Sequence, residues 1–184
     1  MTYNPHRGGF KRVVNTTEPQ VKQEKGESYL ANNDVSSIAD GETYKFAIST
    51  GVDEATLVNT EINTSGRTKI TIYEGATVTA NDTPTEGEFD NINLNRVVAD
   101  TSGVGLEILP EPTVDTQGTR LATGAAGGVT AIGNETGTPG SIVAATPILK
   151  PDTVYVYELE NISGSEVQMN IGVGYTIRRE GNFL

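Results

Sequence analysis

Apolar and polar residues alternate with period two in several segments of the chain after residue 26. The clearest segment is MNIGVGYTIRR, in which one face carries large apolar side chains, namely Met169, Ile171, Val173, Tyr175 and Ile177. Alternation of this kind is typical of a β-strand that buries one face. The opposite face includes Gly172 and Gly174, where the missing side chains leave room for another group to approach closely.

Shorter segments repeat this pattern or a related one. VYVYELEN at 154–161 is apolar on both faces, which predicts a strand in the centre of a sheet. The other predicted buried faces are Tyr44, Phe46 and Ile48; Val58, Thr60 and Ile62; and Ile70 and Ile72. Most tyrosines and phenylalanines fall inside these segments, so we expect them in the core and in cross-strand pairs.

Turn-forming residues separate the predicted strands. Short strands joined by regular turns indicate an all-β fold, an antiparallel β-sandwich or a jelly-roll-like arrangement. The pattern predicts no amphipathic helix, and at most a single helical turn at 33–39. The predicted turns are Ala39-Asp40-Gly41, Thr64-Ser65-Gly66, Lys150-Pro151-Asp152 and Ser163-Gly164-Ser165.

Two regions lack the strand pattern. Residues 1–26 show no sustained periodicity and predict an extended N-terminal arm, which leaves 27–184 as one β-sandwich domain. Residues 110–147 are rich in Gly, Ala, Thr and Pro and predict a long loop, which in a compact domain is usually functional or disordered. This loop either packs on a neighbouring subunit or forms a local hairpin on its own domain. In the first case the expected contact residues are Arg120, Leu121, Val129 and Ile132.

Charge is distributed unevenly along the chain. The net charge is −11, although residues 1–25 carry +3 and the remainder carries −14. An acidic chain argues against general nucleic-acid binding, which needs Lys and Arg to neutralise phosphates. The basic arm either docks on an acidic partner or is a solvated terminus. A terminal aromatic residue among basic ones suits an anchor in a partner's pocket, and the expected contact residues are Arg7, Phe10, Lys11 and Arg12.

Composition excludes several classes of chemistry. The chain contains no cysteine, which excludes disulfides, zinc–thiolate sites and cysteine nucleophiles. His6 is the single histidine, and its place in the arm makes a catalytic triad unexpected. No apolar run approaches the roughly 18 residues that span a bilayer, and the N-terminus lacks the apolar stretch of a secretory signal. We therefore predict no enzyme, no cofactor, no metal and no membrane partner.

The acidic stretch 82–90 raises two alternatives. Its carboxylates Glu86, Glu88 and Asp90 are of the type that binds calcium or forms a glycosidase pair. The spacing fits no calcium loop, and Phe89 is the only aromatic residue beside them. We interpret the stretch as a solvated turn.

Several strings in the chain resemble a family of small tailed-phage virion proteins that decorate or cement the capsid. They are TKITIYEGATVTANDTP at 68–84 with NLNR at 93–96, ADGETYKFAI at 39–48, and ILKPDTVYVYELENISGSEV at 148–167. Together they cover most of 39–177. The chain departs from the family at its end, YTIRREGNFL, where an aromatic-acidic pattern is common, and in its longer Gly/Ala-rich region.

The resemblance implies a non-enzymatic virion protein that binds the outside of the assembled capsid and stabilises it. Its expected partners are the major capsid protein and neighbouring copies of itself, as a dimer or a trimer. The main alternative is a receptor- or carbohydrate-binding module of a tail fibre or another host-attachment protein, which predicts an exposed aromatic platform. A glycan hydrolase using Glu86 and Glu88 is a third, more distant alternative.

Overall fold

A computed structural model of the chain describes residues 27–94, 106–127 and 148–178. Within these ranges all regular structure is β-strand, and no helix is long and apolar enough to cross a membrane. The strands are β1 (Ser28–Ile38), β2 (Thr43–Thr50), β3 (Glu54–Thr64), β4 (Thr68–Glu74), β5 (Thr77–Thr79), β6 (Asp90–Asn93), β7 (Leu106–Pro110), β8 (Thr113–Thr116), β9 (Thr119–Ala126), β10 (Ile148–Leu149), β11 (Val154–Asn161) and β12 (Val167–Arg178).

Two five-stranded antiparallel sheets form the body of the protein. The first sheet has the order β10-β3-β12-β1-β6, and the second has the order β7-β2-β11-β4-β9. Strands β5 and β8 pair as a separate two-stranded ribbon. The predicted all-β antiparallel sandwich is confirmed.

The chain passes repeatedly between the two sheets. Strands β1 to β4 lie alternately in the first and second sheets, and β9 to β12 lie alternately in the second and first. The first four strands pair with the last four in reverse order, so that β1 lies beside β12, β2 beside β11, β3 beside β10 and β4 beside β9. Neighbouring strands are therefore often more than a hundred residues apart in the sequence.

Side chains from both sheets share one core. Phe46 stacks on Tyr157, its direct partner across strands β2 and β11, with ring centroids 4.6 Å apart. In the other sheet Tyr29 stacks on Tyr175 at 5.2 Å. The side-chain amide of Asn33 donates a hydrogen bond of 2.9 Å to the Tyr44 hydroxyl and so joins the two sheets.

The two clearest strands predicted from the sequence, 154–161 and 169–177, are strands in the structure. Strand β12 is central in the first sheet, and its apolar face is buried in the core. Strand β11 is central in the second sheet. Its Tyr155, Tyr157 and Leu159 face the main core, while Val156 joins a second apolar cluster on the outer face with Ala47. The β5–β8 ribbon contributes to this second cluster, which explains why β11 is apolar on both faces.

One predicted face is wrong in strand β3. Val58 is 47% exposed, whereas its neighbour Leu57 is fully buried. The register between β3 and β12 shifts so that Asn59 pairs with Gly174 and Leu57 with Tyr175, which leaves Val58 as an extra residue. A bulge of this kind reverses the faces of the residues that precede it, and strict alternation cannot reveal it.

Two further expectations need correction. The segment predicted as a helical turn at 33–39 lies largely in β1, where Asn33 pairs with Ile171 in the neighbouring strand. The region 110–147 is not one loop, because β8 and β9 lie within it. Backbone pairing with β5 and β4 stabilises these two strands although they have little apolar alternation. Residues 128–147 and the predicted arm lie outside the described residues.

Candidate functional site

The structure places two of the predicted contact residues at one edge of the sandwich. Arg120 and Leu121 lie in β9, the last strand of the second sheet. The other six lie outside the described residues and are Arg7, Phe10, Lys11, Arg12, Val129 and Ile132.

Within the described residues, strand β9 presents a free edge. It pairs with β4 on one side, and the described residues place no strand on its other side. Six of its eight residues are exposed, including Leu121 at 53%. Unpaired N–H and C=O groups along such an edge are available to another strand, which is a recurring mode of protein recognition. We call β9 and its unpaired backbone the β9 edge.

Small side chains leave the β9 edge open. Ala122, Gly124 and Ala126 face the core side, opposite Ile72, Ile70 and Thr68 of β4, and of these three only Ala126 is buried. Leu121 is the extra residue of a bulge, because Ile72 pairs with Ala122 and Tyr73 with Arg120. The five residues from Ala122 to Ala126 form a regular stretch without charge. The sequence signal for this edge was the Gly-, Ala- and Thr-rich composition of 110–147, which left a contact with a neighbouring subunit and a local hairpin as alternatives.

The other three edges of the two five-stranded sheets in the described ranges differ from β9. Strand β10 has only two residues, and β6 has four and begins with Asp90. Strand β7 has five residues, with an exposed Glu107 and with Pro110, which has no N–H to donate. Short length, charge and proline are the features by which natural sheets discourage pairing at their edges.

The YEG motif, Tyr73-Glu74-Gly75 at the end of β4, forms a corner of the second sheet. One Glu74 carboxylate oxygen binds the Lys150 ammonium at 2.5 Å, and the other accepts a hydrogen bond of 3.2 Å from the Tyr155 hydroxyl. The Tyr155 hydroxyl also accepts a 2.9 Å hydrogen bond from the Lys150 backbone N–H. The Lys150 hydrogen bond lowers the pKa of Glu74, while burial raises the pKa of Tyr155. Glu74 thus connects β4 to β11 and to the turn at 150–153 that precedes β11.

Gly75 completes this corner. Its φ of 72° lies in the left-handed region that favours glycine. The backbone N–H groups of Gly75 and Ala76 both donate to the Val154 carbonyl, at 2.9 and 3.3 Å. Gly118 packs against the Glu74 carbonyl so closely that a Cβ atom there would overlap the backbone. The motif is therefore a structural joint.

Asn161 forms a second joint at the opposite end of β11. Its side chain is fully buried, and its amide nitrogen donates to the Ile38 carbonyl at 2.8 Å and to the Ser165 carbonyl at 2.7 Å. Its amide oxygen accepts a 3.0 Å hydrogen bond from the Ser163 N–H. Sequence reasoning placed a turn here but did not identify this buried amide, because its partner Ile38 is 123 positions away.

One acidic side chain of 82–90, that of Glu86, also has a structural partner. Glu86 accepts hydrogen bonds from the Ser36 N–H at 2.6 Å and from its hydroxyl at 2.8 Å. It lies at an open cleft of about 470 Å³ that Glu42, Glu111 and Tyr44 also line. In the described ranges no three His, Asp or Glu side chains are grouped to hold a metal ion. Glu86 therefore ties the 82–90 segment to β1.

In the described ranges most aromatic side chains are directed into the core, and Tyr73 packs with the second cluster on the outer face of the second sheet. Of the eight aromatic residues in the described ranges, six are buried, and Tyr73 and Phe89 are half-buried. Burial raises the pKa of Tyr157 to about 12, with the Thr60 hydroxyl acting in the opposite direction. Within the described residues, then, no aromatic side chain is exposed enough to form a stacking platform for a sugar.

No family model, curated protein or solved structure matches this chain. Its function is therefore inferred from its own residues and contacts.

Proposed function

We propose that this chain is a non-enzymatic structural protein of a tailed phage, which binds the outside of the assembled capsid and stabilises it. The observation that carries this proposal is the position of the three segments that resemble decoration proteins. Segments 39–48, 148–167 and 68–84 contribute β2, β11 and β4, which are adjacent in the second sheet. The resemblance thus covers one continuous structural unit.

Hydrogen bonds between these segments support the same unit. The Gly41 N–H donates to the Asn161 carbonyl at 2.9 Å, and the Gly164 N–H donates to the Asp40 carboxylate at 2.8 Å. At the other end of β11, Glu74 binds Lys150. Residues of the three segments therefore join the strands to one another, which is the role expected in a structural protein.

The strand order is a further support. We interpret the alternation of β1–β4 and β9–β12 between the sheets as a jelly roll with β6, β7 and the β5–β8 ribbon added. Jelly rolls are common in viral capsid domains and in lectins. The buried and half-buried aromatic side chains of the described ranges favour the decoration function over carbohydrate binding, for which we expect an exposed aromatic platform.

Stabilisation follows from selective binding. A protein that binds only the assembled, expanded shell shifts the equilibrium towards that shell by its binding free energy. Copies arranged on a symmetric lattice reinforce one another, so that modest single-site affinity is sufficient. In this proposal Arg7, Phe10, Lys11 and Arg12 contact the major capsid protein, and the β9 edge faces neighbouring copies.

The decisive experiment is co-sedimentation of the full chain with mature capsids that lack it, beside unexpanded capsids. Saturable binding to mature capsids alone is the expected result, and its stoichiometry would give the lattice position. Absence of binding to both shells would refute the decoration function, and measurable glycan affinity would then favour a host-attachment module.

The arm is tested separately. Joint replacement of Arg7, Lys11 and Arg12 by Gln should weaken capsid binding, whereas replacement of Lys22 and Lys25 by Gln provides a control in the same segment. Unchanged binding after removal of residues 1–25 would show that the arm is not the capsid contact.

A further inference from the structure

We infer that the β9 edge pairs with the β9 edge of a second copy, antiparallel about a two-fold axis, to join two second sheets into one ten-stranded sheet. This contact deepens the proposed function. Its role as a bridge on a capsid rests on that function, whereas pairing in solution does not.

The first argument is the contrast among the four edges of the two five-stranded sheets in the described ranges. Strands β6, β7 and β10 are short or carry charge or proline. The β9 edge combines eight residues with a regular, uncharged stretch from Ala122 to Ala126. It is the edge where a second strand meets the least steric and electrostatic resistance.

The second argument is what the strand leaves uncovered. Ala122 is exposed although it faces the core side, and its partner Ile72 is only partly buried. The described residues therefore leave the space between the two sheets incompletely filled at this edge. A further strand beside β9 would extend the sheet and remove apolar surface from water.

The third argument is the position of charge, which selects the partner's direction. Arg120 is the only charged residue in β9. A parallel pair in register would place two Arg120 side chains about 5 Å apart, where like charges destabilise pairing. An antiparallel pair centred on Gly124 separates them by about 26 Å at a rise of roughly 3.3 Å per residue, well beyond the screening length of about 8 Å in physiological salt.

The register makes a specific prediction about side-chain neighbours. With Gly124 on the two-fold axis, Thr123 of one copy lies opposite Ala125 of the other, and both are exposed on the same face. Charges introduced at these two positions will therefore face each other across the contact. Like charges should break it, and opposite charges should preserve it.

The test is sedimentation velocity and light scattering of the full chain over a range of concentrations. The wild type should form dimers. Thr123→Lys combined with Ala125→Lys should raise the dimer dissociation constant about tenfold or more, because it creates two like-charge contacts. Thr123→Lys combined with Ala125→Glu should retain the dimer. Thr113→Lys with Gln168→Lys adds the same charge at exposed positions outside β9 and should leave association unchanged.

Amide hydrogen exchange provides a readout in the unmodified chain. Protection of residues 122–126 should increase with protein concentration in step with dimer formation. Three results would each overturn the inference. The first is a monomeric wild type, and the second is a dimer or trimer whose dissociation constant is the same in the Thr123→Lys, Ala125→Lys variant. The third is protection of 122–126 that does not depend on concentration. The last of these results would assign the edge to another part of the same chain.

Capsid co-sedimentation separates this inference from the proposed function. Suppose that the wild type is dimeric and that the Thr123→Lys, Ala125→Lys variant binds capsids as a monomer. This result would support both proposals and show that pairing is not needed for attachment. Capsid binding by a wild type that never dimerises would retain the function and refute the pairing. Dimerisation of a wild type that does not bind capsids would retain the pairing and refute the proposed function.

Discussion

Asn161→Ala tests the joint at the end of β11. The wild-type side chain is 0% exposed and makes three hydrogen bonds to backbone groups, at 2.8, 2.7 and 3.0 Å. Each such bond contributes on the order of 1 kcal/mol net, and a buried group left without a partner costs about 1–3 kcal/mol. The Ile38 carbonyl would be left in this state. We expect the free energy of unfolding to fall by about 3 kcal/mol, within a range of roughly 2–5.

The assay is urea and thermal unfolding of the full chain. For a domain of this size a loss of about 3 kcal/mol corresponds to a decrease in Tm of roughly 10 °C. Ser163→Ala is the matched control in the same turn. It removes hydrogen bonds at an exposed site, among them one of 2.8 Å that the Ser163 hydroxyl donates to the Ser165 carbonyl and one of 3.2 Å that it accepts from the Ser165 N–H. The control should lose about 1 kcal/mol or less. A loss for Asn161→Ala no larger than that of the control would refute the joint.

Asn161→Asp adds a pH test with a defined sign. A carboxylate at this position would face the Ile38 and Ser165 carbonyl oxygens, and only its protonated form can donate to one of them. Its pKa should therefore be higher in the folded protein than in the unfolded chain. The folded state then binds more protons, so stability decreases as pH rises through these pKa values. A variant equally stable at pH 4 and pH 7, relative to wild type, would contradict this placement of the amide.

Two further predictions concern the YEG corner. Gly118→Ala should lower the free energy of unfolding, measured in urea, by about 1–3 kcal/mol more than Gly87→Ala does. The angle φ is positive at both positions, but only at Gly118 would the added Cβ overlap backbone atoms. Equal losses in the two variants would contradict this packing. Glu74→Gln should weaken the dependence of stability on acid pH. Because Lys150 lowers the pKa of Glu74, the carboxylate stabilises the fold above its unfolded pKa, and this contribution is lost as pH falls through the lowered folded value. An unchanged pH profile in thermal unfolding would show that the pair does not contribute.

In the strands that were predicted correctly from the sequence, apolar side chains occupy the buried positions and polar side chains occupy the exposed ones. In β12 every second residue from Met169 to Ile177 fills the core, and period-two alternation is the direct result of one buried face. The turns were predictable for a similar reason. Gly41 and Gly164 have positive φ angles, and Asp152 does as well, and few residue types adopt such angles readily.

The missed features depend on neighbours that the local sequence does not contain. Val58 is exposed because β3 carries one more residue than its partner at that point. Strand β9 forms because β4 supplies backbone hydrogen bonds, which small side chains such as Ala122 and Gly124 do not prevent. The candidate site was therefore predictable only as an uncharged segment near Arg120 and Leu121, without its strand or its free edge.

By itself the sequence determined the all-β class, most of the buried faces and the turns, since these depend on side-chain type and on backbone angles over a few residues. The tertiary structure decided which strands are neighbours and which strand lies at an edge. Pairing joins residues as far apart as Ser28 and Thr176 through backbone groups that are alike in almost every residue. For that reason the open edge at β9 emerged from the topology of the two sheets and not from the sequence of the strand.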